Sequence, residues 1–185
     1  MIITVFSTKG GVAKTTIADE LAYIYAQRNG PDSVSFLQLD QQPGSLSDTV
    51  KKPGSTITVT DTPGRVDPQM DAVLAASDVV IVPLLPGPKQ VSPLEGIMRT
   101  VRKSDSKVLF VLSKFSAQRR ADLRTLSEIT TRFPGVPLVT VPETTLVEVA
   151  GFEEKTISEY APLHKTARAF GDVARIAQEL GDRSA

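Results

Sequence analysis

Residues 6–20, FSTKGGVAKTTIADE, join an apolar strand to a helix and decide the fold. The stretch has a glycine pair between two lysines, followed by two threonines: Lys9, Gly10, Gly11, Lys14, Thr15 and Thr16. Glycines let a backbone wrap closely around an anion, and a helix N-terminus offers unpaired N–H groups and positive dipole charge. A strand, a glycine turn and a helix that begins at a lysine therefore predict a phosphate-binding loop.

Two side chains of this loop have expected roles. We expect Lys14 to contact the terminal phosphates of a nucleotide and the Thr15 hydroxyl to ligate Mg²⁺, as in P-loop proteins. The pattern departs from the ordinary GxxxxGK[ST] motif, because Thr8 and Ala13 stand at its two glycine positions. The alternative is a glycine turn with two solvated lysines. That alternative does not explain why these residues match a phosphate loop and also lie where a strand joins a helix.

The rest of the chain alternates short apolar runs with helical patterns, which is typical of strand–helix–strand units. The predicted strands are Ile2–Phe6, Val34–Leu39, Thr56–Thr60, Val79–Val82, Lys107–Leu112 and Pro137–Val141. Their apolar residues do not alternate strictly with polar ones, which indicates burial on both faces. We predict a single α/β domain over residues 1–185, a doubly wound, mainly parallel sheet flanked by helices.

The helices are predicted from apolar spacing and capping patterns. The first helix is Lys14–Gln27, with Ile17, Leu21, Ile24 and Tyr25 on one side. A second begins at the capping box Ser92–Glu95, and a third has an apolar stripe of Leu123, Leu126, Ile129 and Phe133. The last helix covers His164–Leu180. The segment Ser45–Val50 has room for only one or two helical turns.

Composition excludes several classes of protein. The 185 residues include no cysteine, which excludes disulfides, thiolate zinc sites and cysteine-held iron–sulfur clusters. The apolar runs have the length of strands, too short to span a membrane, and no basic segment precedes the first one. We therefore expect a cytoplasmic protein. Lysine plus arginine balance aspartate plus glutamate at 21 each, so net charge does not indicate a partner.

The pattern Lys-Gly-Gly-x-x-Lys-Thr-Thr resembles the deviant Walker A motif of the ParA/MinD family of dimeric ATPases. The resemblance implies ATP or ADP and Mg²⁺ as cofactors, held by Lys9, Gly10, Gly11, Val12, Ala13, Lys14, Thr15 and Thr16. It also implies an ATP-dependent homodimer in which Lys9 reaches the partner's ATP and stabilises charge there, as an arginine finger does. The two lysines would then serve two different active sites.

Other segments extend the resemblance over nearly the whole chain. They are Leu39–Pro43, Asp61–Gly64, the proline-rich turn Pro83–Pro88 and the C-terminal segment Gly151–Ala167. The sequence is similar to the short plasmid-partition ParA proteins, which begin directly at the first strand and lack an N-terminal DNA-reading domain.

Carboxylates and polar residues at strand ends complete the expected site. The resemblance implies that Asp61 holds the Mg²⁺ shell, and that Asp40 anchors the metal or Lys14. Gln42 stands where the family has a second aspartate that orients the attacking water, so we expect slow hydrolysis with Lys9, Lys14, Asp40 and Gln42 as the catalytic set. Ser113, Pro142, Glu143 and Thr144 end the fifth and sixth strands, where they either border the adenine or are ordinary loop residues.

The stretch from Lys89 to Arg124 has nine bases and three acids, a net charge of +6. We expect Arg99, Arg102 and Lys103 to share a helix face, and Arg119 and Arg120 to lie in a first helical turn, where the helix dipole disfavours cations. The alternatives are a surface for DNA phosphates and an ordinary solvated face.

The resemblance implies a ParA-type plasmid-partition ATPase that dimerises on Mg-ATP, binds DNA non-specifically and is stimulated by a ParB-like adaptor. Such a protein is associated with the nucleoid when bound to ATP. One alternative is a MinD-like membrane-cycling ATPase, which needs a basic amphipathic C-terminal helix with bulky apolar residues. The other, suggested by Gln42, is a nucleotide-gated binding module that does not hydrolyse ATP.

Overall fold

The computed structural model describes residues 1–39, 49–64 and 68–182. In chain order the elements are β1 (Ile2–Val5), α1 (Lys14–Asn29), β2 (Val34–Gln38), β3 (Ile57–Asp61), α2 (Pro68–Ala75), β4 (Val79–Leu84), α3 (Leu94–Val101), β5 (Lys107–Phe115), α4 (Arg120–Arg132), β6 (Leu138–Pro142), α5 (Leu146–Phe152), α6 (Ile157–Tyr160) and α7 (Lys165–Asp182), with one turn of 3₁₀ helix, Pro31–Ser33, before β2. All six predicted strands are present.

The six strands form one parallel sheet in the order β2-β3-β1-β4-β5-β6. Strand β1 pairs with β3 on one side and with β4 on the other. The strand order therefore reverses at β1, and this switch point is where open α/β sheets bind ligands. The predicted doubly wound, parallel architecture is confirmed.

Helices cover both faces of the sheet, and β4 shows how. Val79 and Ile81 belong to an apolar cluster that includes α1 and α7, whereas Val80 and Val82 belong to a second cluster with α2, α3 and α4. Successive side chains of a strand point to opposite faces, so a strand that is apolar throughout is needed to fill both layers.

Helix α1 lies deep in the first layer. All four residues predicted to face the core are buried: Ile17, Leu21, Ile24 and Tyr25. The Tyr25 hydroxyl donates a 2.7 Å hydrogen bond to the Ala174 carbonyl of α7. Because α7 uses Phe170, Val173, Ala174 and Ala177 to pack in the same layer, its apolar face is already covered by the core.

Three details of the predicted helices are wrong. Helix α3 begins at Leu94 behind Pro93, and no side chain caps it, so the Ser92 capping box does not form. Leu123 is 44% exposed rather than part of the buried stripe of α4. Val50, the end of the predicted short helix, is instead extended and pairs with Phe36 of β2, while residues 45–48 lie outside the described residues.

Strand β5 runs three residues beyond its predicted end, and its pairing with β6 is irregular over these residues. The register shifts between Leu112 and Phe115, and Lys114 between them adopts the left-handed conformation with φ 54°. A bulge of this kind lets a strand continue past an unpaired residue. Among the helices of the described residues, none combines the length and apolar character needed to cross a membrane.

Candidate functional site

The predicted phosphate loop lies between β1 and α1, at the carboxyl end of the central strand. Helix α1 begins at Lys14, directly after Ala13, which adopts the left-handed conformation with φ 67°. The Ala13 carbonyl accepts a 3.0 Å hydrogen bond from the Ile17 N–H and so starts the helical ladder. This backbone places the first turn of α1, with its unpaired N–H groups, next to the loop.

Lys14 is held inside the loop. The residue is 6% exposed, and its Nζ donates a 3.2 Å hydrogen bond to the Lys9 carbonyl. A buried ammonium retained by a backbone carbonyl of a glycine loop is placed to accept an anion as a further partner.

The two predicted Mg²⁺ ligands meet beside this lysine. The Thr15 hydroxyl donates a 2.7 Å hydrogen bond to Oδ2 of Asp61, which is fully buried at the end of β3. Asp61 is in register with Val5 of β1, and the Thr62 hydroxyl donates a 2.7 Å hydrogen bond to the Val5 carbonyl. Strand pairing therefore brings together two residues that are 46 positions apart in the sequence.

The segment after β3 lies against the phosphate loop at Gly64. A Cβ atom at this position would stand 3.0 Å from the Gly10 nitrogen and 3.2 Å from Lys14 Nζ. Real Cβ atoms rarely come so close to backbone, so only glycine fits without a shift of the loop. Gly64 lies in a segment that carries the family resemblance, but its role is not visible in the sequence, because the contact depends on how two strand ends meet.

We expect Gly64→Ala to lower the free energy of unfolding by about 1–3 kcal/mol, since its methyl group overpacks the contact with Gly10. Gly96→Ala is the matched control, because a Cβ at this position of α3 meets no atom within 4 Å. That substitution should raise the free energy by about 0.5–1 kcal/mol, since alanine is favoured over glycine inside a helix. Chemical denaturation measures both, and equal effects would contradict the close approach at Gly64.

Lys9 contacts its own chain in this structure. Its Nζ donates a 2.8 Å hydrogen bond to the Lys89 carbonyl and a 3.1 Å hydrogen bond to Oε1 of Gln90. Both acceptors lie in the segment between β4 and α3. No sequence motif signals this contact, so it was not predicted.

The remaining metal and catalytic residues, Asp40 and Gln42, lie outside the described residues, so their roles stay predictions. Within the described ranges, no group of three or more histidine or acidic residues is arranged to hold a metal ion. A hydroxyl beside a single carboxylate suits Mg²⁺ bound together with nucleotide phosphates and water, because Mg²⁺ rarely takes an all-protein cage.

The residues predicted to border the adenine lie at the ends of β5 and β6. Pro142 and Glu143 line a cavity there together with Phe115, Arg119 and Lys165. Glu143 also forms an ion pair with Arg119. The Thr144 hydroxyl instead accepts a 3.2 Å hydrogen bond from the Leu146 N–H of α5. Ser113 is buried within β5 and is not among the residues that line this cavity.

The basic candidates are all exposed but differ in their surroundings. Helix α3 ends at Val101, so Arg102 and Lys103 follow its C-terminus, where the helix dipole favours cations. Arg102 still has helical backbone angles as the C-cap and its N–H donates to the Met98 carbonyl, so the expectation that these bases share a face with Arg99 stays a prediction. Arg119 and Arg120 begin α4 as predicted, against the dipole, but Arg119 is neutralised by Glu143.

A buried carboxylate connects α1 to the C-terminal part of the chain. Glu20 is 2% exposed, and its two oxygens accept hydrogen bonds from the N–H groups of Ile157, at 2.6 Å, and Ser158, at 3.2 Å. Burial raises the pKa of the Glu20 carboxyl, and these N–H groups oppose part of that rise. The role of Glu20 was not predicted, because a glutamate on a helix normally faces solvent.

The parallel sheet with a glycine loop at its switch point defines the P-loop nucleotide-binding fold. Comparison with solved structures finds proteins that share this fold. The chain matches a variant of McdA from Cyanothece in complex with ATP, with a TM-score of 0.77, 14% identity, and coverage of 94% of this chain and 95% of that one.

Two further structures are similar. The septum site-determining protein MinD from Pyrococcus horikoshii, in complex with Mg-ADP, gives a TM-score of 0.75 at 17% identity and covers 100% of this chain and 98% of its own. A protein assigned to plasmid partition from Borrelia burgdorferi, bound to AMPPNP, gives 0.70 at 18% identity, with coverage of 92% and 98%. All three are deviant Walker A ATPases, and the predicted resemblance to the ParA/MinD family is confirmed at the level of fold. No protein-family model and no curated protein matches the sequence.

Proposed function

We propose that this chain is a ParA-type ATPase that binds Mg-ATP in the loop of Lys9–Thr16 and forms a dimer when it does so. One observation carries the proposal. Lys14, Thr15 and Asp61 converge at the switch point of the sheet, with a second lysine, Lys9, at the start of the same loop. The nucleotides bound by the similar structures support it.

The residues present fit Mg-ATP. Lys14 and the N–H groups at the start of α1 would neutralise the β- and γ-phosphates, and the Thr15 hydroxyl would turn from Asp61 to the metal. Asp61 would then accept hydrogen bonds from metal-bound water. When bound, Mg²⁺ offsets phosphate charge during attack by water on the γ-phosphoryl group.

The second lysine, Lys9, explains why hydrolysis would require a dimer. A phosphoryl transition state carries charge on oxygens that one protomer's loop does not fully surround. Lys9 from the partner would supply the additional positive charge, as the family resemblance implies. With Gln42 expected at the water-orienting position, hydrolysis should be slow until a stimulating partner binds.

For the biological role we propose plasmid partition, with non-specific DNA and a ParB-like adaptor as partners and the nucleoid as the location of the ATP-bound form. The Borrelia structure supports this role, and the exposed bases at the end of α3 and at the start of α4 support an anionic partner. A MinD-like membrane cycle is the second candidate; among the described helices, α7 packs its apolar face against the core and does not present it to a membrane. The third candidate is a nucleotide-gated binding module that does not hydrolyse ATP. It is suggested by Gln42, which stands where the family has a water-orienting aspartate.

Phosphate release and multi-angle light scattering, measured with ATP or ADP, test the ATPase proposal. We expect a monomer with ADP, a dimer with Mg-ATP, and hydrolysis that rises when DNA and the adaptor are added. A dimer without measurable phosphate release would select the nucleotide-gated binding module. A chain that stays monomeric and inactive with Mg-ATP would contradict the proposed function.

For the DNA surface, we expect the double substitution Arg119→Ala with Arg120→Ala to weaken DNA binding while ATP affinity is unchanged. Each lost phosphate contact should reduce the slope of log affinity against log salt by about 0.9. The same measurement applies to Arg99, Arg102 and Lys103 replaced together. Arg175→Ala is the matched control, because this arginine is equally exposed but lies on α7, outside the two basic groups tested. Unchanged slopes in both basic variants would place the DNA surface elsewhere.

A further inference from the structure

Lys9 is fixed by two acceptors of its own chain. An ammonium group has three N–H donors, and two of them are engaged here, by the Lys89 carbonyl at 2.8 Å and by Oε1 of Gln90 at 3.1 Å. These acceptors lie 80 and 81 positions further along the chain, so only the fold brings them to the phosphate loop.

The segment that carries the acceptors is itself well anchored. Val91 and Leu94 are fully buried in the second apolar layer on either side of the turn into α3. The Gln90 N–H donates a 3.2 Å hydrogen bond to the Gly87 carbonyl, and the Gly87 N–H donates a 3.0 Å hydrogen bond to the buried Thr125 hydroxyl of α4. The position of these acceptors is therefore set by packing within the chain itself.

We propose that Gln90 is a positioning residue that retains Lys9 within its own protomer and so raises the nucleotide concentration needed for dimerisation. This inference rests on the proposed function, in which Lys9 acts in the partner's site. A partner's phosphate and the two internal acceptors compete for the same N–H donors, so each protomer exchanges one set of contacts for the other as the dimer forms.

The expected size of the effect follows from the exposure of this contact. A partly exposed hydrogen bond to a charged group contributes modestly, and the Lys89 carbonyl remains when Gln90 is changed. We expect removal of the amide to favour release of Lys9 by about threefold per protomer. A symmetric dimer releases two lysines, so its dimerisation constant should rise by about tenfold.

Two substitutions of opposite chemistry test the proposal. Gln90→Ala removes an acceptor and should lower the Mg-AMPPNP concentration at which half of the protein is dimeric. Gln90→Glu replaces the amide with a carboxylate that pairs with Lys9, so it should raise that concentration, and added salt should reduce the difference. Gln27→Ala, at an exposed position near the far end of α1, is the matched control and should change nothing.

The sign of the two effects decides the result. Light scattering during a titration with Mg-AMPPNP follows dimerisation without hydrolysis, and thermal unfolding checks that each variant is folded. A purely structural role for Gln90 predicts impaired dimers for both substitutions. If both variants shift the Mg-AMPPNP concentration for dimerisation in the same direction, or neither shifts it, the role of Gln90 is overturned. The proposed ATPase function would not be affected by that result. Failure of the unmodified chain to dimerise overturns the proposed function and this inference together.

Discussion

Lys14→Ala should reduce ATP affinity by about a hundredfold or more, which corresponds to about 3 kcal/mol. The side chain is 6% exposed and lies inside the loop, so its loss leaves phosphate charge in a site without its main positive partner. A fluorescent ATP analogue measures the change in affinity directly.

The control for this variant is Lys107→Ala. Lys107 is an exposed lysine at the first residue of β5, at the opposite end of the parallel sheet from the phosphate loop. Its replacement should leave ATP affinity unchanged. If Lys14→Ala binds the analogue as tightly as Lys107→Ala does, the assignment of the phosphate loop is wrong.

Lys9→Ala should give a different defect. We expect ADP affinity of the monomer to stay within about twofold, while ATP-dependent dimerisation is lost and hydrolysis falls by roughly a thousandfold, the lower end of the effect of an arginine finger. The reason is that the Lys9 ammonium is engaged by Lys89 and Gln90 of its own chain, so we expect it not to be needed to bind a nucleotide within its own protomer.

Mixing two inactive variants distinguishes action in the partner from action in the same protomer. In a mixed dimer of Lys9→Ala and Lys14→Ala, the site of the Lys9→Ala protomer retains its own Lys14 and receives Lys9 from the other subunit. Hydrolysis should therefore recover when the two proteins are combined. If Lys9 served its own site, no protomer in the mixture would have both lysines, and the combined sample would stay inactive.

Local sequence patterns predicted the phosphate loop and the sheet. A glycine pair between lysines after an apolar strand favours the backbone conformation of a phosphate loop. Strands buried on both faces are apolar throughout, as Val79–Val82 shows. The meeting of Thr15 with Asp61 agrees with the metal site that the family resemblance implied, and it is possible because parallel strands end at one edge of the sheet. These features depend on neighbouring residues or on a general property of parallel sheets.

Contacts between distant segments were not predictable in this way. Gly64 approaches Gly10, Gln90 contacts Lys9, and Arg119 pairs with Glu143 because the fold places loops side by side. The capping box at Ser92 failed because Pro93 took the cap position. In each case a local pattern was either absent or was overridden by tertiary packing.

The hydrogen bonds of Glu20 make the stability of α6 an indicator of the position of α1, the helix that begins at the phosphate loop. Helix α6 has four residues, too few to be stable alone, and its first N–H groups are held by a carboxylate from α1 and by its own Thr156. Glu20 follows Lys14 by six residues on the same helix. Any displacement of α1 that loosens Glu20 therefore lets α6 open before the sheet does. Hydrogen exchange at the Ile157 and Ser158 amides would report that opening without a label in the site.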